Sequence, residues 1–275
     1  MLQFSVITSV YKNDKLPFVK AALDSMLIDQ TIKPNEIILV RDGKVPPELE
    51  FLLQQYENRY VNIFKVIRLD ENKGLGNALK IGVENASHNL VARMDSDDIC
   101  SETRFEKQLK YIEEHPECDI LGGQMTEFIG SPHNICGTRV VPEDNKDIYD
   151  YMKNRCALNH VTVIFRKEAV LKAGNYQDWF WNEDYYLWVR MMLAGCKFAN
   201  LPDVLVNVRS GADQYSRRGG RKYFNSEIGI KKLMLEKGLI SYTTFVYNYI
   251  TRFIIQILMP NSVRGWVFRN IARSK

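Results

Sequence analysis

Four short apolar runs in the first hundred residues, separated by stretches of helical spacing, constrain this chain more than any other feature. They are Phe4–Val10, 36–40, 62–69 and 89–94, rich in Val, Ile and Leu and bounded by Gly, Pro, Asn or Asp. Between them, 14–30 sets Leu16, Val19, Ala22, Leu23, Met26 and Leu27 on one helical face. Pro46 and Pro47 start a helix to about Tyr60, and 73–86 reads as a third helix. Unbroken apolar strands alternating with helices need cover on both faces. The expected class is therefore α/β, a mainly parallel sheet flanked by helices. Ligands of such sheets sit beyond the carboxyl ends of the strands. Ser9, Tyr11, Asp42, Asn72 and the acids from Asp95 to Asp98 all fall there.

The second half is less regular. Helices are expected over 104–115, 167–173, 183–194 and 221–236, the second closed by Gly174 and the third by Gly195. Strands with Gly-rich turns are expected over 120–141, a strand over 161–165, and two short strands over 198–201 and 204–208. Beyond Ser241, aromatic and basic residues interleave up to and past Pro260, which reads as two interfacial helices. At 275 residues the chain is one large domain or a domain with an appendage; the division expected is 1–210 and an extension over 211–275.

Charge is unevenly placed. The net formal charge is +4, yet from Arg209 onward 13 Lys or Arg stand against 3 Asp or Glu. The first 208 residues are therefore acidic overall, and the basic extension is expected to meet an anionic membrane surface. Packing of that extension on its own domain or in a homodimer is the alternative. No recognition module for nucleic acid is visible, and none is expected to bind. No run approaches the ~18 apolar residues of a membrane span, and the opening lacks the basic start of a secretion signal. Five cysteines without a Cys-x-x-Cys pair fit a reducing cytosol.

Arg93-Met-Asp-Ser-Asp-Asp98 follows the fourth apolar run and places three carboxylates at a strand end. Such acids need partners. A hard divalent cation bridging to a diphosphate is one reading, pointing to a nucleotide-sugar site. An Asp-rich turn leading into the next helix is the other.

Taken with Phe4–Tyr11, Glu36-Ile-Ile-Leu-Val-Arg-Asp-Gly43, Asn72-Lys-Gly-Leu-Gly-Asn-Ala78 and Trp181-Asn-Glu-Asp-Tyr-Tyr-Leu-Trp188, this motif resembles bacterial family 2 glycosyltransferases of the GT-A fold. The resemblance covers about residues 1–210 and implies a nucleotide-binding half (1–100) and an acceptor half (101–210). It implies inverting transfer of galactose or an N-acetylhexosamine from a UDP-sugar to a saccharide acceptor during surface-polysaccharide or lipo-oligosaccharide assembly. A lipid-linked acceptor at the cytoplasmic face of the membrane would account for the extension. Asp97 is implied as the contact for Mn²⁺ or Mg²⁺, with Asp95 near the ribose or reaching the metal through water. Ser9, Tyr11, Asp42, Asn72 and Lys73 are implied to hold the nucleotide. Arg93 could meet a phosphate or, as such arginines more often do, pair with a nearby acid. Asp184 is implied as the general base with Glu183 beside it. His160, Trp181 and Trp188 could contact donor or acceptor; a buried histidine and a core tryptophan are the structural alternatives for the first and last.

Two departures stand out: Arg41 where many members carry Asp, and Ala78-Leu-Lys-Ile-Gly82 where many carry Ala-Arg-Asn-x-Gly. Two other classes compete. A sugar-1-phosphate nucleotidyltransferase usually opens with a Gly-rich loop, and residues 8–13 contain no glycine. A catalytically inactive, glycosyltransferase-like binding subunit would tolerate loss of Asp95, Asp97 and Asp184, and all three are present.

Overall fold

The computed structural model describes residues 2–211 and 219–260. Its first half alternates as the apolar runs require: β1 (Phe4–Val10), α1 (Leu16–Leu27), β2 (Glu36–Arg41), α2 (Pro47–Arg59), β3 (Phe64–Arg68), α3 (Leu75–Asn85) and β4 (Leu90–Arg93). These four strands are parallel, in the order β3-β2-β1-β4. There follow β5 (Ile99–Cys100), α4 (Arg104–Glu114), β6 (Ile120–Phe128), β7 (Ile135–Arg139), α5 (Asn145–Met152), β8 (Ile164–Arg166), α6 (Lys167–Lys172), α7 (Glu183–Leu193), β9 (Phe198–Arg209), α8 (Arg221–Glu236) and α9 (Tyr242–Phe253). One sheet runs through the molecule, continuing from β4 as β8-β6-β9-β5 with β7 beside β6.

Parallel pairing thus holds for the first four strands, whereas the whole sheet is mixed. β8 lies antiparallel to both β4 and β6, while β6 and β9 are parallel. An apolar run reports burial and not strand direction, so the sequence could not show this. Other expectations shift too. Residues 160–162 form a 3₁₀ turn ahead of β8. The two strands expected over 198–208 are one strand, β9, whose pairing with β6 slips between Gly123 and Met125. β5 and α5 had no visible pattern: β5 is two residues long, and α5 buries only Ile148 and Met152.

Side chains alternate across each strand and split the core in two. Phe4, Val6, Ile37 and Leu39 pack with α1, α2 and α4; Ile7, Ile38 and Val40 pack with α3 and α7. α8 adds Ile230 and Met234 to the second core, so this part of the 211–275 region is built into the body. α9 starts where the Ser241 hydroxyl accepts the Thr244 amide at 3.2 Å, and continues as a π-helical turn to Leu258. Its Asn248 is buried and its Phe245 packs on the second core. Tyr242, Tyr247, Ile250, Ile254 and Leu258 are exposed. The second interfacial helix expected past Pro260, and residues 212–218, lie outside the described residues.

Candidate active site

The carboxyl ends of β1, β2 and β4 open into a cavity of about 1220 Å³. Ser9, Tyr11, Asp42, Asn72, Asp95, Asp97, Trp181, Glu183 and Asp184 all line it. Lys73, Arg93, His160 and Trp188 do not.

Asp42 is 4% exposed and ties two loops together. Its Oδ1 accepts the Lys73 amide at 2.6 Å and its Oδ2 the Gly74 amide at 3.0 Å. The Asn72 side chain donates to the Asp42 carbonyl at 3.2 Å. Gly43 permits this approach: its φ is +81°, and a Cβ there would lie 2.7 Å from the Asn72 nitrogen. Lys73 is tied to this corner through its backbone amide, and its side chain is exposed. The departure at Arg41 is structural, since its guanidinium bonds Glu50 at 3.1 Å and the Leu69 carbonyl at 2.9 Å, away from the cavity.

The end of β4 forms an acidic wall. Arg93 is almost fully buried and its guanidinium donates to Asp95, so it orients that carboxylate from below. Asp98 is buried and accepts the Arg209 amide at 2.8 Å. The Arg209 side chain caps the Asp97 carbonyl at 3.0 Å and lies over the Phe18 ring at 3.8 Å. Asp14, which sequence reasoning passed over, joins the same wall: its Oδ2 accepts the Tyr11 amide at 3.1 Å and the Ser96 hydroxyl at 3.0 Å. Its only signal was a position just past β1, at the start of a helix. Burial, reinforced by the charges of Asp95 and Asp14, pushes Asp97 up to about 6. Burial pushes Asp14 up to about 6 as well. Asp98 lies well above the ordinary carboxylate range, through burial and then its acidic neighbours. These are oxygen donors held against their mutual repulsion, the donor set of a hard divalent cation. Among the described residues no three His, Cys, Asp or Glu side chains make a ready-made metal cage. A cation completed by diphosphate oxygens and water needs only one or two carboxylates.

Another part of the lining is the turn Trp179-Phe180-Trp181 and the first turn of α7. Trp179 is fixed by its indole N–H to the Ser226 carbonyl at 3.0 Å and by stacking on Tyr186 at 4.0 Å. It seats on Gly229, where a Cβ would lie 2.7 Å from its ring. The Asn182 amide reaches the Ser226 hydroxyl at 3.1 Å. α8 thus clamps this turn. Trp181 is held at a φ of +55°, unusual for a bulky side chain, and stacks on Phe180 at 4.8 Å with half its surface exposed. Strained backbone kept at a cavity mouth is a mark of functional sites. Burial, then the charge of Asp184, pushes Glu183 up to about 7. One Asp184 oxygen accepts the Tyr185 amide at 2.7 Å.

Trp188 is fully buried, and His160 bonds the Tyr176 hydroxyl at 2.9 Å behind Arg93. Burial and the Arg93 charge hold this histidine well below its ordinary pKa, so it is neutral. Both residues belong to an aromatic cluster beneath the site. Arg139, Arg155, Glu227 and Arg252 do line the cavity and carried no sequence signal; Arg252 sits on a helix that read as interfacial.

Residues 5–180 match the family model described as "Glycosyl transferase family 2". The chain is 39% identical over 269 residues to the amylovoran biosynthesis glycosyltransferase AmsE of Erwinia amylovora, covering 96% of this chain and 97% of that protein. It is 37% identical over 271 residues to an Escherichia coli UDP-Gal:alpha-D-GlcNAc-diphosphoundecaprenol beta-1,3-galactosyltransferase, covering 98% and 97%. The crystal structure of Staphylococcus aureus TarS 1-349 with UDP-GlcNAc superposes with a TM-score of 0.66 at 19% identity, over 92% of this chain and 73% of that one, which establishes a shared fold. With a family match over most of its length and bacterial relatives aligned nearly end to end, the chain belongs to glycosyl transferase family 2 and is a glycosyltransferase of the GT-A fold.

Proposed function

We propose that the chain moves galactose or an N-acetylhexosamine from a UDP-sugar to a hydroxyl of a lipid-linked saccharide, with inversion, during assembly of a cell-surface polysaccharide. One observation carries this reading: the acids at the end of β4 and Asp184 at the start of α7 line the same cavity. The E. coli relative's name gives it a UDP-Gal donor and a diphosphoundecaprenol-linked acceptor.

In this reading Ser9, Tyr11, Asp42 and Asn72 hold the uridine end, Tyr11 with a ring face and Asp42 with an acceptor oxygen. Asp97, with Asp95 directly or through water, would hold Mn²⁺ or Mg²⁺, whose chemistry is to neutralise the leaving diphosphate. Trp181 stacks on the acceptor sugar and orients it. The acceptor oxygen attacks the anomeric carbon as the bond to the diphosphate oxygen breaks, its electron pair leaving with UDP. Asp184 takes the hydroxyl proton. Among the described residues no helix is long and apolar enough to cross a membrane. Attachment to the cytoplasmic face of the membrane would use the exposed apolar side chains of α9 and the basic extension.

Calorimetric titration of UDP with and without Mn²⁺, on the native chain and on Asp97→Asn, tests the donor half. Metal-dependent binding that Asp97→Asn abolishes supports it and leads to a screen of UDP-sugars for turnover. Absence of UDP binding in both conditions rejects it. Binding without any sugar transfer to any acceptor would favour the inactive subunit.

A further inference from the structure

Beyond Asp184 the cavity continues toward α8 and α9, and this end is built from arginines. Arg139 at the end of β7, Arg155 in the turn after α5 and Arg252 near the end of α9 all line it. They come from three distant parts of the chain and meet at one backbone segment, residues 154–156. Arg139 donates to the Cys156 carbonyl at 2.7 Å, and Arg252 donates to the Asn154 carbonyl at 2.6 Å. Arg155 lies between those two anchors, and its guanidinium has no hydrogen bond or ion pair among the described residues. Glu227 stands 3.2 Å from Arg252 and steadies it. The cluster sits on the Asp184 side: the charges of Asp184 and Arg139 both act on Cys156, whereas Asp97 feels Asp95, Asp14 and Arg209. The cavity is therefore acidic where the donor metal would bind and carries three arginines near the proposed base.

We propose that Arg139, Arg155 and Arg252 form a subsite for the diphosphate that joins the acceptor sugar to its lipid carrier. Guanidinium groups fit phosphate oxygens through paired, charge-assisted hydrogen bonds, and an arginine held in place by a carbonyl loses little freedom on binding. The subsite rests on the functional reading above and adds to it the class of acceptor: a sugar carrying an anionic phosphate linkage rather than a neutral glycan. It also gives α9 a second task. Arg252 completes the acceptor site, and Ile250 and Phe253 of the same helix, with Ile254 of the π-helical turn that continues it, offer exposed apolar surface to the carrier chain leaving that site.

The test is titration of dodecyl diphosphate, kept below its micellar concentration, into the full chain presaturated with UDP and Mn²⁺. Dodecyl maltoside and inorganic pyrophosphate serve as comparison probes. Dodecyl diphosphate is expected to bind the UDP-loaded protein, and dodecyl maltoside to bind far less. Arg155→Ala is expected to weaken the diphosphate roughly tenfold or more, the loss of a charged hydrogen bond, with UDP affinity and melting temperature unchanged. Arg155→Lys should recover part of the loss, and Arg252→Ala should repeat it. Equal affinity in Arg155→Ala overturns the proposal. So does binding that UDP abolishes, which would put the arginines on the donor diphosphate. Pyrophosphate binding as tightly as the alkyl diphosphate overturns it too, by making the site a general anion site. Titrating UDP alone, and the alkyl diphosphate without UDP, keeps the two readings apart: UDP that fails to bind removes the donor assignment, whereas Arg155-dependent binding of the alkyl diphosphate stands on its own.

Discussion

Glu183 and Asp184 are neighbours in sequence and line the same cavity, yet they are not equivalent. Burial and the charge of Asp184 push Glu183 up to about 7. Two adjacent carboxyls in a partly dry site do not both ionise cheaply, and Glu183 holds its proton more tightly than a free glutamate does. Asp184, beside it, is the proposed base. Asp184→Asn keeps the shape of the side chain and removes its basicity. The expected outcome is transfer slowed by ~10²- to 10⁴-fold with UDP affinity unchanged, measured by UDP release with acceptor present and by UDP titration. Near-native turnover in this variant would remove Asp184 from the role.

At the scale of elements, α8 shapes the wall proposed to receive the acceptor without supplying the proposed base. Ser226 takes the Trp179 N–H on its carbonyl and the Asn182 amide on its hydroxyl, and Gly229 makes room for the Trp179 ring. A methyl group at Gly229 would sit 2.7 Å from that rigid ring, closer than carbon atoms allow, so the turn carrying Phe180 and Trp181 must move. Gly229→Ala is therefore expected to lower the melting temperature and to reduce kcat while UDP affinity stays as it was. Helix propensity alone predicts the reverse for stability, because alanine is the better helix former. A stabilised, fully active Gly229→Ala protein would show that the contact does not position the turn.

Over the whole molecule, the acids of the cavity make stability depend on pH. Asp14 and Asp97 are raised from 3.8 to about 6, and Glu183 from 4.5 to about 7. Each folded-state pKa lies above its unfolded value, so the native state holds protons more tightly. The stability this gives is complete below about pH 4 and is lost as pH rises through 6 to 7. Mn²⁺ with UDP should oppose that loss, because a cation takes the place of the protons and need not compete with them at higher pH. The increase in melting temperature on adding Mn²⁺ and UDP is expected to be larger at pH ~7.5 than at pH ~5.5. An equal increase at both would show that these carboxylates do not hold the ion.

Apolar spacing determined the first half of this protein almost unaided. β1 falls where its run of Val and Ile sits, and the parallel order of β3, β2, β1 and β4 follows from strands that alternate with helices. The same alternation put Ser9, Asp42, Asn72 and Asp95 at one sheet edge, since every such strand ends on the same side. What sequence could not supply was contact between distant segments. The inserted β8 and the continuous β9 depend on long-range pairing that leaves no local period. The charge of Arg93 is visible in the sequence and its burial beneath Asp95 is not, and the amide that Lys73 gives to Asp42 leaves no sequence trace. Asp14, Arg139, Arg155 and Arg252 carry no motif at all. They become one site only when β1, β7, the turn after α5 and the C-terminal helix close around a common cavity, and that closure is decided by tertiary packing.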